Sequence, residues 1–138
     1  WHPMSCDPVL PNGSFAYVTL RSTNQDGCTG EENSLTVVDI SNIHDPDDVM
    51  IVPMNSPYGM CIQNNNLFVG EGTNGISIFN ITTPSAPVVE MSFPYEIYDV
   101  MPHPNAADRI LTAGPEGLSQ YEVDYTAKTM TLLSAIAF

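Results

Sequence analysis

Positive charge is scarce in this chain of 138 residues. Arg21, Arg109 and Lys128 are its only basic side chains besides histidine, against 16 acidic residues, and the formal net charge at pH 7 is -13. A surface of this sign repels nucleic-acid phosphates and anionic lipid headgroups at close range. We therefore expect no nucleic-acid partner. The acidity is suited to cations or basic partners, or serves solubility or adaptation to a salty habitat.

Long apolar stretches and a leader segment are also missing. No segment approaches the roughly 18 uninterrupted apolar residues of a membrane-spanning helix, and no basic segment followed by an apolar one opens the chain. We therefore expect no membrane span. The chain begins with Trp1 and not with Met, so we expect further sequence upstream, where a signal or a lipid anchor would lie.

Catalytic signatures are absent from the sequence. It has no G-x-S-x-G elbow, no H-E-x-x-H and no zinc-spaced Cys or His pair. Residues 70–75, GEGTNG, fit G-x-G-x-x-G, but the β-branched run after them predicts a strand and not the helix that a dinucleotide site needs. We interpret this segment as a hairpin turn in which Gly and Asn supply positive φ. The sequence favours a noncatalytic protein over an enzyme.

Short β-branched and aromatic runs recur along the chain, and a helical period is always cut by Pro or Gly. The predicted fold class is all-β. Residues 35–41, LTVVDIS, return as 76–82, ISIFNIT, and more loosely as 118–124, LSQYEVD, at offsets of 41 and 42 residues. A period of about 40 to 45 residues is typical of four-stranded β-propeller blades. The chain is therefore predicted to contain about three antiparallel blades of an incomplete ring.

The predicted blades divide a single propeller fragment that spans residues 1–138. Each has four strands, A to D, and the blades lie at 6–53, 58–92 and 97–134. Proline-marked loops at 42–46 and 83–87 form the first two C to D connections, because proline fixes φ and cannot donate to a strand ladder. The third copy departs from the pattern, since Glu122 stands where the other copies have Asp39 and Asn80.

The strands VVDIS and IFNIT, the proline loops after them, and the preceding segments FAYV and LFVGEGTNG resemble LVIVD repeats. Such repeats form surface-exposed propellers of bacteria, especially lipoproteins of the Bacteroidetes type. The resemblance covers nearly the whole chain and implies the C-terminal blades of a longer propeller. It also implies an extracytoplasmic protein, secreted or anchored at the bacterial cell surface. It says little about function, because one fold hosts many functions.

The first blade carries an insertion between strands B and C, at residues 21–33. In a propeller the B to C loops and the D to A connections emerge on one face, so this insertion is expected to overhang the channel mouth. Asp26, Glu31 and Glu32 in it offer oxygen ligands suited to Ca²⁺. Their spacing matches no defined calcium loop, and a solvated acidic loop is the alternative. No other cofactor is expected.

The three cysteines suggest one disulfide and one buried thiol. Cys6 lies where the chain enters the first blade and Cys28 lies in the insertion, so both belong to one face of one blade. We predict that they pair, with Cα atoms within about 7 Å, and the LVIVD resemblance fits this pairing. A disulfide implies an oxidising compartment outside the cytoplasm. Cys61 is interpreted as a small buried hydrophobe and not as a reactive thiol.

Candidate ligand-binding residues lie at the starts of the innermost strands, which line the channel. They are Asp7, Tyr58, Tyr98 and Asp99, joined by Arg21 because it leaves strand B toward the insertion. Each has a simpler alternative. Asp7 precedes a proline and can form a turn, tyrosines in strands commonly serve packing, and Arg21 can pair with a neighbouring carboxylate.

Functions from different classes remain open. The leading hypothesis is a noncatalytic extracytoplasmic module that binds a carbohydrate, peptide or protein at a surface. The rivals are a propeller hydrolase or lyase whose catalytic residues lie in other blades, and a structural subunit of a surface assembly.

Three blades cannot close a ring, and a propeller hides its sheet faces only when each blade has two neighbours. Other blades, from the same polypeptide or another chain, are therefore expected partners, and two copies would supply six. Residues 134–138, SAIAF, are apolar and uncharged. They are suited to a closing or docking strand, or alternatively they extend strand D of the third blade.

Overall fold

The described residues, 8–22 and 29–138, form three four-stranded antiparallel sheets in the computed structural model. The first contains β1 (Val9–Asn12), β2 (Phe15–Ser22), β3 (Thr29–Asp39) and β4 (Asp47–Pro53). The second contains β5 (Met60–Gln63), β6 (Asn66–Gly70), β7 (Ile76–Asn80) and β8 (Val88–Phe93). The third contains β9 (Asp99–Pro102), β10 (Arg109–Gly114), β11 (Gly117–Asp124) and β12 (Thr129–Ile136).

Neighbouring strands in each sheet are consecutive in the chain, as in propeller blades. The three blades do not close a ring, and the predicted all-β fold is confirmed. Within the described ranges, no helix is long and apolar enough to cross a membrane.

The repeat seen in the sequence occupies equivalent positions in the three blades. One backbone hydrogen bond extends the pairing of strands B and C in each blade, from Ile40 to Ser14, from Ile81 to Asn65 and from Val123 to Asp108, at 2.8, 2.8 and 2.7 Å. The three donors are separated by the same offsets, 41 and 42 residues, as the sequence repeat. The third copy therefore keeps the register despite its divergent sequence.

The connection after strand C differs in the third blade. Asp39 and Asn80 each accept a hydrogen bond from the backbone N–H two residues later, at 2.8 and 2.9 Å. Glu122 has a longer side chain at the equivalent position, and Asp124 makes the corresponding bond instead, at 2.9 Å to residue 126. The chain then turns tightly through Lys128, which has a positive φ of 54°. A short hairpin thus replaces the proline loop.

The apolar core lies between blades. In β6, Leu67 and Val69 pack toward the first blade, whereas Phe68 packs toward the third, and all three are fully buried. This alternation follows from the two-residue period of a strand. The core between the first two blades includes Tyr17, Leu35, Val37 and Phe79. The core between the second and third includes Ile76, Ile78, Ile110, Tyr121 and Val123.

Polar contacts reinforce these interfaces. The Tyr17 hydroxyl of the first blade donates to the carbonyl of Pro84 in the second at 2.9 Å. The side-chain amides of Gln63 and Asn64 donate to backbone carbonyls of residues 106 and 107 in the third blade, each at 2.8 Å. Neighbouring A to B turns are thereby held together at one end of the sheets.

The insertion of the first blade is not a loop over its whole predicted range. β2 continues to Ser22, β3 begins at Thr29, and these two residues pair. The β2–β3 ladder therefore extends into the predicted insertion at 21–33 from both ends. The physical reason is that continuing the β2–β3 ladder satisfies the backbone groups of these residues. Residues 23–28 lie outside the described part of the chain.

The apolar segment at the end of the chain mostly extends strand D of its own blade. Residues 134–136 belong to β12, where Ile136 pairs with Leu118 of β11. The alternative of an extended strand D is confirmed for these residues, and the prediction of a strand that pairs elsewhere is wrong. Backbone pairing with β11 was the nearest way to satisfy the ladder.

Cys61 is a buried thiol with low expected reactivity. It lies in the core between the second and third blades and is 5% exposed. Burial, together with the nearby Asp99 carboxylate, raises the pKa of this thiol from 9.0 to about 12. Because the thiolate is the reactive form, we expect Cys61 to resist iodoacetamide at about pH 8 in the folded chain and to react after unfolding in urea, as read by peptide mass spectrometry.

The same pKa shift links Cys61 to stability. The folded thiol keeps its proton to a higher pH than the unfolded thiol, so this group favours folding below about pH 9. That contribution falls as the pH rises from 9.0 toward 12. Rapid alkylation of Cys61 in the native chain at about pH 8 would contradict both expectations.

Candidate functional site

One end of the sheets carries the B to C turns and the D to A connections. We call it the upper face, defined by residues 54–59, 70–75, 94–98 and 114–117 together with the end of β2. This grouping follows from the antiparallel order, because β2, β6 and β10 run toward the end at which β5 and β9 begin.

Three of the predicted site residues meet on the upper face. The guanidinium carbon of Arg21 lies 3.8 Å from the centroid of the Tyr58 ring. The rings of Tyr58 and Tyr98 meet edge to face, with centroids 4.9 Å apart and planes at 87°. All three side chains are half-buried. Both geometries are favourable for cation–π and aromatic contacts. We call Arg21, Tyr58 and Tyr98 the upper aromatic patch.

Arg21 stacks on an aromatic ring where an ion pair was the alternative. The two ion pairs found in the described ranges join Arg109 to Asp108 and Lys128 to Glu90, at 4.0 and 3.8 Å. A cation–π contact contributes about 0.5 to 2 kcal/mol, depending on desolvation. A stacked guanidinium keeps its N–H donors at its edge, where they can reach another molecule.

Gly72 lets the two tyrosine rings approach the turn of the second blade. It has a positive φ of 58°. A Cβ at this position would lie 2.9 Å from Tyr58 Cε2 and 3.0 Å from Tyr98 Cε1. The interpretation of residues 70–75 as a turn is confirmed, since the backbone N–H of Gly75 donates to the carbonyl of Gly72 at 3.1 Å. The glycine serves the aromatic contact as well as the turn.

Glu71 is a buried carboxylate that the sequence pattern did not single out. It is 4% exposed. Its Oε2 accepts the N–H of Asn55 at 2.9 Å, and its Oε1 accepts the hydroxyl of Ser77 at 2.6 Å. These bonds join the D to A connection before the second blade to the turn beside Gly72. A carboxylate directly after the apolar residues 67–70 of β6 was the only sequence signal for this role.

Tyr98 and Asp99 are neighbours in sequence but have different surroundings. The Tyr98 hydroxyl donates to Glu96 Oε1 at 2.7 Å, and this hydrogen bond raises the pKa of Tyr98. Asp99 is exposed, and its Oδ1 accepts the N–H of Val100 at 2.9 Å. Its carboxylate lies against Gly59, where a Cβ would collide with it. Asp99 therefore stands beside the aromatic patch and outside it.

The remaining predicted site residues lie mostly outside the described part of the chain. Asp7, Cys6, Cys28 and Asp26 fall there, as does the side chain of Glu31, whereas Glu32 is exposed. The disulfide and the calcium site stay predictions. In the ranges 8–22 and 29–138, no group of three or more His, Cys, Asp or Glu could hold a metal ion.

A polar pocket opens on the upper face of the third blade. Its volume is about 260 Å³, and its walls include Tyr95, Glu96, Glu116, Ser119 and Tyr121. The rings of Tyr95 and Tyr121 are 5.1 Å apart between centroids and inclined by 33°. Because Glu96 also binds the hydroxyl of Tyr98, the pocket adjoins the aromatic patch. We call it the Glu96–Glu116 pocket.

A second concavity is apolar and lies on the outer face of the third blade. This trough has a volume of about 290 Å³ and is lined by Met101, Leu111, Leu118, Gln120 and Ile136, among others. Leu118, Met101 and Ile136 are 42%, 52% and 66% exposed. The predicted bare end face is thus present on the third blade. On the corresponding outer face of the first blade, Ala16, Val18 and Val38 are buried, whereas Val9 and Ile51 at its edges are exposed.

Comparison with known proteins supports the propeller class. The LVIVD repeat matches residues 28–52, which include all of β3 and nearly all of β4. Among solved structures, 19 chains match. One is the N-terminal domain of Nup159, a β-propeller, with a TM-score of 0.53 and 12% sequence identity. That match covers 94% of this chain and 30% of the Nup159 chain.

No curated protein matches the sequence. The predicted LVIVD repeat is confirmed for the first blade, and the likeness to Nup159 shows the fold alone. The chain is therefore a β-propeller module of the repeat type, spanning under a third of the length of the matched structure.

Alanine at Gly72 should disrupt the aromatic patch, and Gly13 offers a matched control. Both glycines have positive φ, 58° and 63°, so alanine costs about 1 to 2 kcal/mol of backbone strain at either position. At Gly13 nothing lies within 4 Å of the added Cβ. Gly72→Ala should therefore cost about 1 to 3 kcal/mol more, because the tyrosine rings must move.

Urea unfolding measures the loss in free energy of unfolding in each variant. Near-ultraviolet circular dichroism reports the environment of the tyrosines. We expect the tyrosine signal to change in Gly72→Ala and to stay the same in Gly13→Ala. Equal stability losses with unchanged spectra in both variants would show that the rings do not constrain this position.

Proposed function

We propose that this chain belongs to a noncatalytic β-propeller that binds a polypeptide partner through its upper face, outside the cytoplasm at a cell surface. The upper aromatic patch carries the proposal. It displays two half-buried rings and a cation at the loop end of a rigid sheet scaffold, where binding residues concentrate. Tyr and Arg are enriched among the residues that dominate polypeptide interfaces.

The extracytoplasmic location rests on different support. The LVIVD repeat matches residues 28–52, and the resemblance of the wider sequence is to surface propellers of bacteria. A disulfide between Cys6 and Cys28 would require an oxidising compartment. Anchoring as a lipoprotein and a position among the last blades of a longer propeller belong to the same proposal.

The chemistry of the patch favours binding over catalysis. The Tyr98 hydroxyl already donates a hydrogen bond to Glu96, and that bond raises the pKa of Tyr98. A phenol with a raised pKa is a poor general base at neutral pH. The Arg21 guanidinium offers N–H donors and no acceptor, which suits it to binding carbonyl or carboxylate groups of a partner. A hydrolase or lyase would have to draw its catalytic groups from other blades.

Substitutions in the patch test the binding proposal. The 138-residue chain is probed on a random peptide array and on a glycan array, beside the variants Arg21→Gln and Tyr98→Ala. We expect peptide signals that fall about tenfold in each variant, since residues of this kind act as binding hot spots. Ile43→Ala is the control, because Ile43 is 76% exposed and lies at the opposite end of its blade.

Three outcomes of the arrays would count against the proposal. Peptide signals unchanged in both patch variants would show that the patch does not bind. Signals lost equally in Ile43→Ala would indicate nonspecific adhesion. Signals on glycans alone would identify a carbohydrate as the partner in place of a polypeptide.

We further propose that the apolar trough of the third blade receives another propeller blade. The face that the second blade buries against the third includes Cys61, Phe68, Ile76 and Phe93. Strand registers place Met101, Leu111, Leu118 and Ile136 at the equivalent positions of the third blade, since both sets pair in the same way across the four strands. The trough therefore continues the series of interfaces between blades.

The repeat geometry favours a blade outside these 138 residues over a second copy of this chain. A head-to-tail second copy would have to offer the outer face of its first blade. In the middle of that face Ala16, Val18 and Val38 are 5%, 2% and 5% exposed, whereas Val9 and Ile51 at its edges are 53% and 52% exposed. A second copy would therefore meet exposed apolar side chains only at the edges of this face, and we propose that the partner is a further blade with its own apolar inner face.

A dye that binds apolar surface tests this second proposal. We expect the chain to enhance anilinonaphthalene sulfonate fluorescence, and Leu118→Gln to reduce the enhancement with little change in the free energy of unfolding, because Leu118 is already 42% exposed. Val89→Gln is the control, since Val89 is 51% exposed and lies on another blade. Absence of dye binding would contradict a bare face. Dimerisation abolished by Leu118→Gln would identify a second copy as the occupant.

A further inference from the structure

We infer that the Glu96–Glu116 pocket binds the cationic side chain of an arginine or lysine in the partner peptide. This inference rests on the proposed function, because the pocket opens on the same upper face as the aromatic patch. It adds the chemical class of ligand that the face selects.

The two carboxylates of the pocket come from different elements that are packed against each other. Glu96 lies in the connection before β9, and Glu116 lies in the turn between β10 and β11. A Cβ at Gly114 would lie 2.5 Å from the carbonyl oxygen of Glu96. The turn therefore rests directly on the connection, and the glycine permits this contact. This contact holds the backbones that carry the two glutamates next to each other.

Glu96 is oriented by a partner that leaves part of it available. Its Oε1 accepts the Tyr98 hydroxyl at 2.7 Å. A carboxylate has two oxygens and about four acceptor sites, so the remaining sites can accept N–H groups of a ligand. The bond to Tyr98 also joins this pocket to the aromatic patch. A peptide lying across the upper face would contact both.

Tyrosine rings complete the pocket beside the carboxylates. Tyr121 is 8% exposed, and the Tyr95 hydroxyl donates to the carbonyl of Met130 at 3.1 Å, which holds its ring in place. The negative face of an aromatic ring attracts a guanidinium or ammonium group. Carboxylates beside aromatic rings therefore suit a cation with an apolar stem. An anionic or neutral group would gain less binding free energy from the carboxylates and from the rings.

The charge of the whole chain acts in the same direction. The net charge is -13, and the three basic side chains are Arg21, Arg109 and Lys128. None of them lines the pocket. Arg21 is stacked on Tyr58, and the other two lie beside carboxylates elsewhere. A cationic side chain of a partner therefore does not compete with an Arg or Lys of this chain for the pocket. The acidic surface also accelerates its approach.

Nuclear magnetic resonance on the full 138-residue chain tests the inference. The probe is the peptide acetyl-Gly-Gly-Arg-Gly-Gly-amide, and its control is the same peptide with citrulline, which keeps the shape of arginine without the charge. We expect the arginine peptide to shift the backbone amides of Glu96, Gly114, Glu116 and Ser119. The citrulline peptide should leave them unchanged.

Two isosteric substitutions supply the matched comparison. Glu116→Gln removes one charge from the pocket. We expect it to lower the affinity for the arginine peptide about tenfold, because a charge-assisted hydrogen bond is lost. Asp48→Asn removes the same charge from an exposed residue at the opposite end of the first blade. It should leave the affinity unchanged within about twofold, since distant surface charges are screened by salt.

The possible failures are distinguishable. Equal shifts with arginine and citrulline peptides, or equal weakening by Asp48→Asn and Glu116→Gln, would overturn this inference and leave the proposed role of the patch intact. Peptide-array signals that are unchanged in Arg21→Gln and Tyr98→Ala would overturn the proposed function, whatever the outcome of the resonance experiment. Identical shifts with calcium chloride alone would show that the pocket recognises a metal ion and not a cationic side chain.

Discussion

Burial of both faces of the second blade holds the described part of the chain together. Leu67 and Val69 project to one neighbour and Phe68 to the other, so one thin sheet belongs to two cores. A strand's alternating side chains make this arrangement possible. They also make each blade dependent on its neighbours, because a sheet with two apolar faces cannot hide either of them alone. The apolar trough on the third blade is the direct result of that dependence.

The candidate site is a product of the same packing. When two blades stack, the connections that precede their inner strands come side by side, and Tyr58 meets Tyr98 over Gly72. Glu71, buried beside this glycine, fastens the turn to the preceding connection. Displacing one blade relative to the next would therefore separate the aromatic rings. The site and the core between blades are parts of one arrangement.

Errors in the sequence-based predictions concern where strands end. The blade period and the proline loops were visible in the sequence, and even the divergent third copy keeps its register through the hydrogen bond from Val123 to Asp108. In the insertion and in the apolar tail, the observed strands are longer than the predicted ones. Strand length is decided by whether the partner strand also continues, and Ser22 pairs with Thr29 just as Ile136 pairs with Leu118. That information lies in the pairing and not in local composition.

The sequence by itself determined the all-β class, the blade repeat, the buried character of Cys61 and all three members of the aromatic patch. These follow from periodicity, turn chemistry and side-chain type, which are local properties. Tertiary structure alone decided that Arg21 stacks on Tyr58, that Glu71 is buried, and that Glu96 and Glu116 share a pocket. Arg21 and Tyr58 belong to different blades, and Glu96 and Glu116 to different elements of one blade. Their contacts depend on how sheets stack and turns meet, which no local pattern encodes.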